Sequence, residues 1–186
     1  MSEATRDLWA LAVSTLLAAE SERFRGDILD LGGGAALFAR SLPGAALKKA
    51  KADTLAGPAS YDGAVSVSKL QFAEDPAADV AAAAAACRPG SPVLLLVPHA
   101  LLEDLADARH AFTLKGLRAM ATAAGLEVDH ARAVSPPGRG VLRRELEAFM
   151  MQSPRQIPVA DDLVGWVELM DEQRPMLLVC VAVKPR

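Results

Sequence analysis

Aromatic residues make up only 4% of this 186-residue chain, so Ala, Leu and Val must supply most of its packing. Cysteine is equally scarce: Cys87 and Cys180 stand far apart, outside any metal-ligand spacing. That argues against a disulfide framework or a zinc site and favours two buried free thiols in a reducing cytoplasm. No strong charge of either sign is present. The formal net charge is -3 and the pI is near 5.6, so the electrostatic footprint expected of a partner for nucleic acid or an anionic membrane is missing. No apolar run reaches membrane-spanning length, and Met1 to Arg6, with acidic Glu3, does not resemble a cleavable signal peptide. The expectation is a cytoplasmic protein with neither nucleic acid nor membrane as partner. Also missing are a phosphate-binding lysine loop, a nucleophile elbow and the glycine spacing of the dinucleotide fingerprint.

What is present fits one globular domain over residues 1–186, with 52% hydrophobic and 23% charged residues and no linker or repeat. The most informative stretch runs from Gly26 to Phe38. Ile28, Leu29 and Leu31 form the short apolar run of a strand buried on both faces, with Asp30 at its carboxyl end. Gly32, Gly33 and Gly34 follow, able to turn sharply or to admit a ligand close to the backbone. In open α/β sheets such a strand-to-helix turn is where nucleotide-like ligands bind.

Strand and helix signals alternate along the rest of the chain. Leu8, Leu11, Leu16 and Ala19 share a helical spacing over residues 5–23, with Ser2 or Thr5 as cap. Residues 35–41 read as a short helix that stops at Pro43-Gly44, and residues 61–67 as a second buried strand. Asp75-Pro76 opens a helix that runs through Ala86, and Arg88-Pro89-Gly90 closes it. Residues 92–97 form the clearest strand. A helix over 114–124 breaks at Gly125, strand-like residues 126–133 follow, and 176–183 form a terminal strand. A further helix is expected over 141–151. Such alternation predicts a layered α/β fold on a mostly parallel sheet.

Four segments, in order, resemble the class I S-adenosylmethionine-dependent methyltransferase family. Asp30-Leu-Gly-Gly-Gly34 is similar to its first, cofactor-binding motif, and Tyr61-Asp62-Gly-Ala-Val65 to its fourth strand. Arg88-Pro89-Gly90 before Val93–Val97 resembles the turn into the fifth strand, and Phe112-Thr113, Leu117 and Ala124-Gly125-Leu126 the helix entering the sixth. The resemblance implies a three-layer Rossmann-like sheet whose terminal strand is the family's antiparallel seventh. It also implies S-adenosylmethionine as cofactor, with Asp30, Gly32, Gly34 and Asp53 as its contacts. Gln71, beside Lys69 in the loop after the Tyr61 strand, and His99, after the central strand, are the candidate catalytic groups.

Two departures stand against that expectation. Ala36 occupies the place of a further family glycine. Between Ser41 and Tyr61, where the family has a second strand ending in a ribose-binding acidic residue and then a helix, about one βα unit of roughly thirty residues is expected to be absent. No acidic residue occurs between Arg40 and Lys51; Lys48, Lys49 and Lys51 stand there instead. The resulting expectation is a degenerate cofactor site, binding S-adenosylmethionine weakly or not at all. The protein would then be a non-catalytic subunit of a homo-oligomer or of a heteromeric complex, because a missing unit leaves sheet edge and apolar surface to cover. The alternative is an active minimal methyltransferase acting on a small molecule or a protein side chain, by an in-line transfer that depends on positioning.

Overall fold

A computed structural model describes residues 3–52, 55, 59–98, 108–134 and 177–186. Among them are strands β1 (Gly26–Leu31), β2 (Ala45–Ala50), β3 (Gly63–Val67), β4 (Pro92–Pro98), β5 (Glu127–Val134) and β6 (Leu177–Val183), and helices α1 (Glu3–Glu20), α2 (Pro76–Ala86) and α3 (Leu114–Ala123). The strands form one six-stranded sheet in the order β2-β1-β3-β4-β6-β5. β2, β1, β3 and β4 pair in parallel, and β6 runs antiparallel to both β4 and β5. The mostly parallel α/β sheet with an antiparallel terminal strand is therefore present.

Both faces of the sheet are covered, which is why its central strands read as unbroken apolar runs rather than alternations. On one face Leu29, Leu31, Ala64, Val93 and Leu95 pack with Val80 and Ala83 of α2 and with Leu117 and Ala121 of α3. On the other, Ile28, Val65, Val67, Leu94 and Leu96 pack with Val13, Leu16 and Leu17 of α1 and with Phe38. The buried stripe of α1 thus includes Val13 and Leu17, and Ala19, expected inside, faces solvent. Burial pushes the thiols of Cys87 and Cys180 up to about 11, as befits inert core residues.

Local signals explain the helix ends. Asp75 caps α2, its Oδ1 accepting from the N–H groups of Ala77 and Ala78 at 3.0 Å each, and Pro76 fills the first turn. At the other end Lys184 Nζ donates to the carbonyls of Ala85 and Cys87 at 3.2 and 2.7 Å. Thr113 caps α3 through Gly116 N–H at 3.1 Å, and Gly125, at φ 78°, ends it.

The expectation that the second strand is missing is overturned. Ala45–Ala50 pairs in parallel along the whole of β1, from Gly26↔Ala45 to Leu31↔Ala50. It escapes a reading for buried strands because it is an edge strand, where exposed lysines are tolerated and discourage pairing with other chains. Among the described residues the sheet has six strands, one fewer than the seven of the family it resembles, and no α-helix occurs between β2 and β3.

Candidate functional site

The chain leaves β1 outward to β2 and then returns to β3 on the other side of β1. The order therefore reverses between β1 and β3, and ligands of open α/β sheets bind in the crevice at the carboxyl ends of such a strand pair. Two segments border it here: the glycine turn after β1 and residues 68–72 after β3.

The turn is built around Asp30. Its carboxylate is fully buried; Oδ1 accepts from Ala35 N–H at 2.9 Å and Oδ2 from Ala36 N–H at 2.8 Å. These bonds fix the start of the 3-10 segment Ala35–Ser41, which stands where a short α-helix was expected and bends at Phe38, whose ring meets Trp9 edge-on at 5.8 Å. Asp30 thus orients the glycine loop, and both of its oxygens already hold backbone donors. Gly32 and Gly33 lie at φ 81° and 79°, a region costly for other residues. A Cβ on Gly34 would collide with the Val67 carbonyl oxygen, so that glycine lets the turn pack on the end of β3.

Two lysines lie over this turn. Lys49 stands beside Asp30 in the β1–β2 register. Its stem crosses Gly33 so closely that a Cβ there would lie 2.6 Å from Lys49 Cε. Lys69 crosses from the β3 side; a Cβ on Gly32 would lie 2.9 Å from its Cγ. Next to it Ser68 is held at φ 49°, a left-handed conformation unusual outside glycine and a mark of strain at ligand-binding loops.

Gln71 is only 3% exposed; its Nε2 donates to the Ser68 carbonyl at 2.9 Å, and its own carbonyl accepts from the N–H groups of Arg109 and His110. It therefore braces the loop against the segment that leads into α3. Among the described residues three buried polar atoms of this region have no hydrogen-bond partner: Ser66 Oγ, Ser68 Oγ and Gln71 Oε1. An orphaned buried polar atom costs about 1–3 kcal/mol, so each has bonding capacity for a water or a ligand.

In this architecture the fold is decided by the sheet order together with the crevice. The chain has the class I methyltransferase fold. It matches phosphoethanolamine N-methyltransferase 2 of Haemonchus contortus, in complex with S-adenosyl-L-methionine, with a TM-score of 0.65 and 16% identity, over 94% of this chain and 53% of that one. An S-adenosylmethionine-dependent methyltransferase from Mesorhizobium loti gives 0.60 and 18% over 91% and 96% of the two chains. A chain from the complex of the Haloferax volcanii Trm112 methyltransferase activator gives 0.64 and 16% over 93% and 89%. No family model and no curated protein matches the sequence.

Within this methyltransferase fold, the predicted Asp30, Gly32, Gly34 and Gln71 all come together at the crevice. Asp53 and His99 lie outside the described residues, as does the helix expected over 141–151. Asp62 accepts from Asp27 N–H at 3.0 Å and pairs with Arg88, securing the start of β3 far from the crevice. His110 contacts the Ala73 carbonyl at 3.0 Å and His130 lies 3.2 Å from Glu20, so both serve packing contacts. Lys49 was not expected at the site, and Ser68 only as part of the loop after the Tyr61 strand, not as one of its polar groups. Only the pairing of β2 and β3 on either side of β1 brings them there.

Proposed function

We propose that this protein is a methyltransferase-fold subunit that does not hold S-adenosylmethionine unaided and acts as a non-catalytic partner in a homo-oligomer or a heteromeric complex. The observation that carries this reading is Lys49. It occupies the carboxyl end of β2, where the family resemblance implies a carboxylate for the two ribose hydroxyls, and its stem lies across Gly33. Loss of a charge-assisted acceptor removes about 1.5–3 kcal/mol, roughly tenfold or more in affinity. Asp30 is fully buried and holds the turn through both of its oxygens, a structural task separate from the ribose contact. A partner role agrees with Leu37, a large apolar side chain 81% exposed in the segment after the glycine turn. It also agrees with the occurrence of a chain of this fold in complex with a methyltransferase activator.

The second reading, a minimal active methyltransferase, is favoured by the intact glycine turn and by the buried carboxylate that orients it. Transfer of a methyl group relies on alignment, so few side chains would be needed. Calorimetric titration with S-adenosylmethionine and S-adenosylhomocysteine separates the two. Silence up to millimolar concentration on folded protein is expected; micromolar binding would favour the enzyme.

A further inference from the structure

We infer that the crevice between β1 and β3 binds a phosphate-bearing ligand, with Lys49 and Lys69 as its two cationic walls. The inference rests on the proposed loss of the ribose site, and it adds what the altered site takes instead. In dinucleotide-binding sheets the residue past the second strand sets the chemistry of the sugar side: a carboxylate suits free hydroxyls and a cation suits a phosphate. Here Lys49, the penultimate residue of β2, pairs with Asp30 on the same sheet face.

Three observations point the same way. Lys48, its neighbour, pairs with Asp27 at 3.7 Å, and Lys184 is spent on the end of α2. Lys49 and Lys69 make no ion pair or hydrogen bond among the described residues, although their stems lie on adjacent glycines, Gly33 and Gly32. Two lysine stems thus lie over one turn with no counter-charge paired to either among the described residues, an arrangement that an anion would relieve. Next to Lys69 in the chain, Ser68 Oγ is a buried hydroxyl with no partner among the described residues, on a left-handed backbone, and Gln71, 3% exposed, keeps an unpaired Oε1. A hydroxyl can donate to a phosphate oxygen, and the amide oxygen can accept from a ligand N–H or a bound water. Asp30 does not oppose the anion directly, since both of its oxygens face the N–H groups of Ala35 and Ala36.

The test is a calorimetric titration of the full chain with inorganic pyrophosphate, ADP and adenosine, repeated for Lys49→Gln, Lys69→Gln and, as a control on the exposed face of α3, Lys115→Gln. Pyrophosphate and ADP should bind and adenosine should not. Each crevice variant should weaken the phosphate probes roughly tenfold, the control should leave them unchanged, and added salt should weaken binding. ADP binding more tightly than pyrophosphate would identify a nucleotide site, and equal binding a site for phosphate alone. Circular dichroism melts establish that the variants fold, as substitution of exposed lysines should allow. The inference is overturned if neither phosphate probe binds folded protein up to millimolar concentration, if adenosine binds as well as ADP, or if the control weakens binding as much as the crevice variants. S-adenosylmethionine is titrated in the same series. Tight binding of that cofactor would sink the non-catalytic reading, whereas the phosphate arms decide the present inference separately.

Discussion

Replacing Asp30 by Ala tests whether this residue builds the glycine turn. The variant removes two charge-assisted hydrogen bonds, to Ala35 N–H at 2.9 Å and to Ala36 N–H at 2.8 Å. Each is worth about 1.5–3 kcal/mol. Two effects reduce the sum. Ala36 N–H is only partly buried and recovers water, and the variant no longer desolvates a carboxylate. A loss of about 3 kcal/mol remains, against a total stability of about 5–15 kcal/mol for a domain, so the variant still folds. For a chain of this size, that lowers Tm by roughly 6–12 °C. Asp30→Asn keeps one acceptor but sets its NH2 against the other backbone N–H, so it too should melt below wild type. Thermal melts followed by circular dichroism at neutral pH read both. An Ala variant melting within about 2 °C of the wild type would refute the structural role and leave Asp30 free for a ligand.

Four other outcomes follow from the same geometry. Gly34→Ala forces a methyl onto the Val67 carbonyl and should cost about 1–3 kcal/mol in urea unfolding; Gly125→Ala, with open space around its Cβ, should cost only the conformational term of about 1 kcal/mol. Arg23 and His130 hold the Asp129 carboxyl below its usual 3.8, so this contribution is present above that pH and lost as pH falls through the depressed value. Arg23→Gln should therefore be less stable than wild type near neutrality, and melts at decreasing pH should show the gap closing in acid. Cys87 and Cys180, raised to about 11 by burial, should resist a thiol-disulfide reagent at pH 8 until guanidinium unfolds the chain; rapid labelling of the native protein would contradict their placement.

The centre of the fold was legible because its signals are local. Asp75-Pro76 names a helix start, and the apolar runs of β1 and β4 admit few other readings. Edge strand β2 was not, because Ala45, Leu47 and the lysines between them carry a weak alternation that only pairing with β1 makes into a strand. At the site, Asp30, Gly32 and Gly34 stood out through their spacing. Lys49 did not, since it reaches the turn by lateral register; Ser68 belonged to the loop expected there, but its left-handed backbone has no signal in composition. Gln71 was expected to face a substrate and is instead almost wholly buried, half of its amide spent on the Ser68 carbonyl. The glycines invited a cofactor reading, yet each also has a reason within the turn itself.

The central proposal is that Lys49, near the carboxyl end of β2 where the family resemblance implies a carboxylate, keeps the protein from holding S-adenosylmethionine unaided. The most direct measurement is the calorimetric affinity of S-adenosylhomocysteine for wild type and for Lys49→Glu, side by side. The account predicts no binding by the wild type up to millimolar concentration and a gain of roughly tenfold or more in the variant, enough to bring binding into the measurable range. Micromolar binding by the wild type, left unchanged by Lys49→Glu, would contradict it.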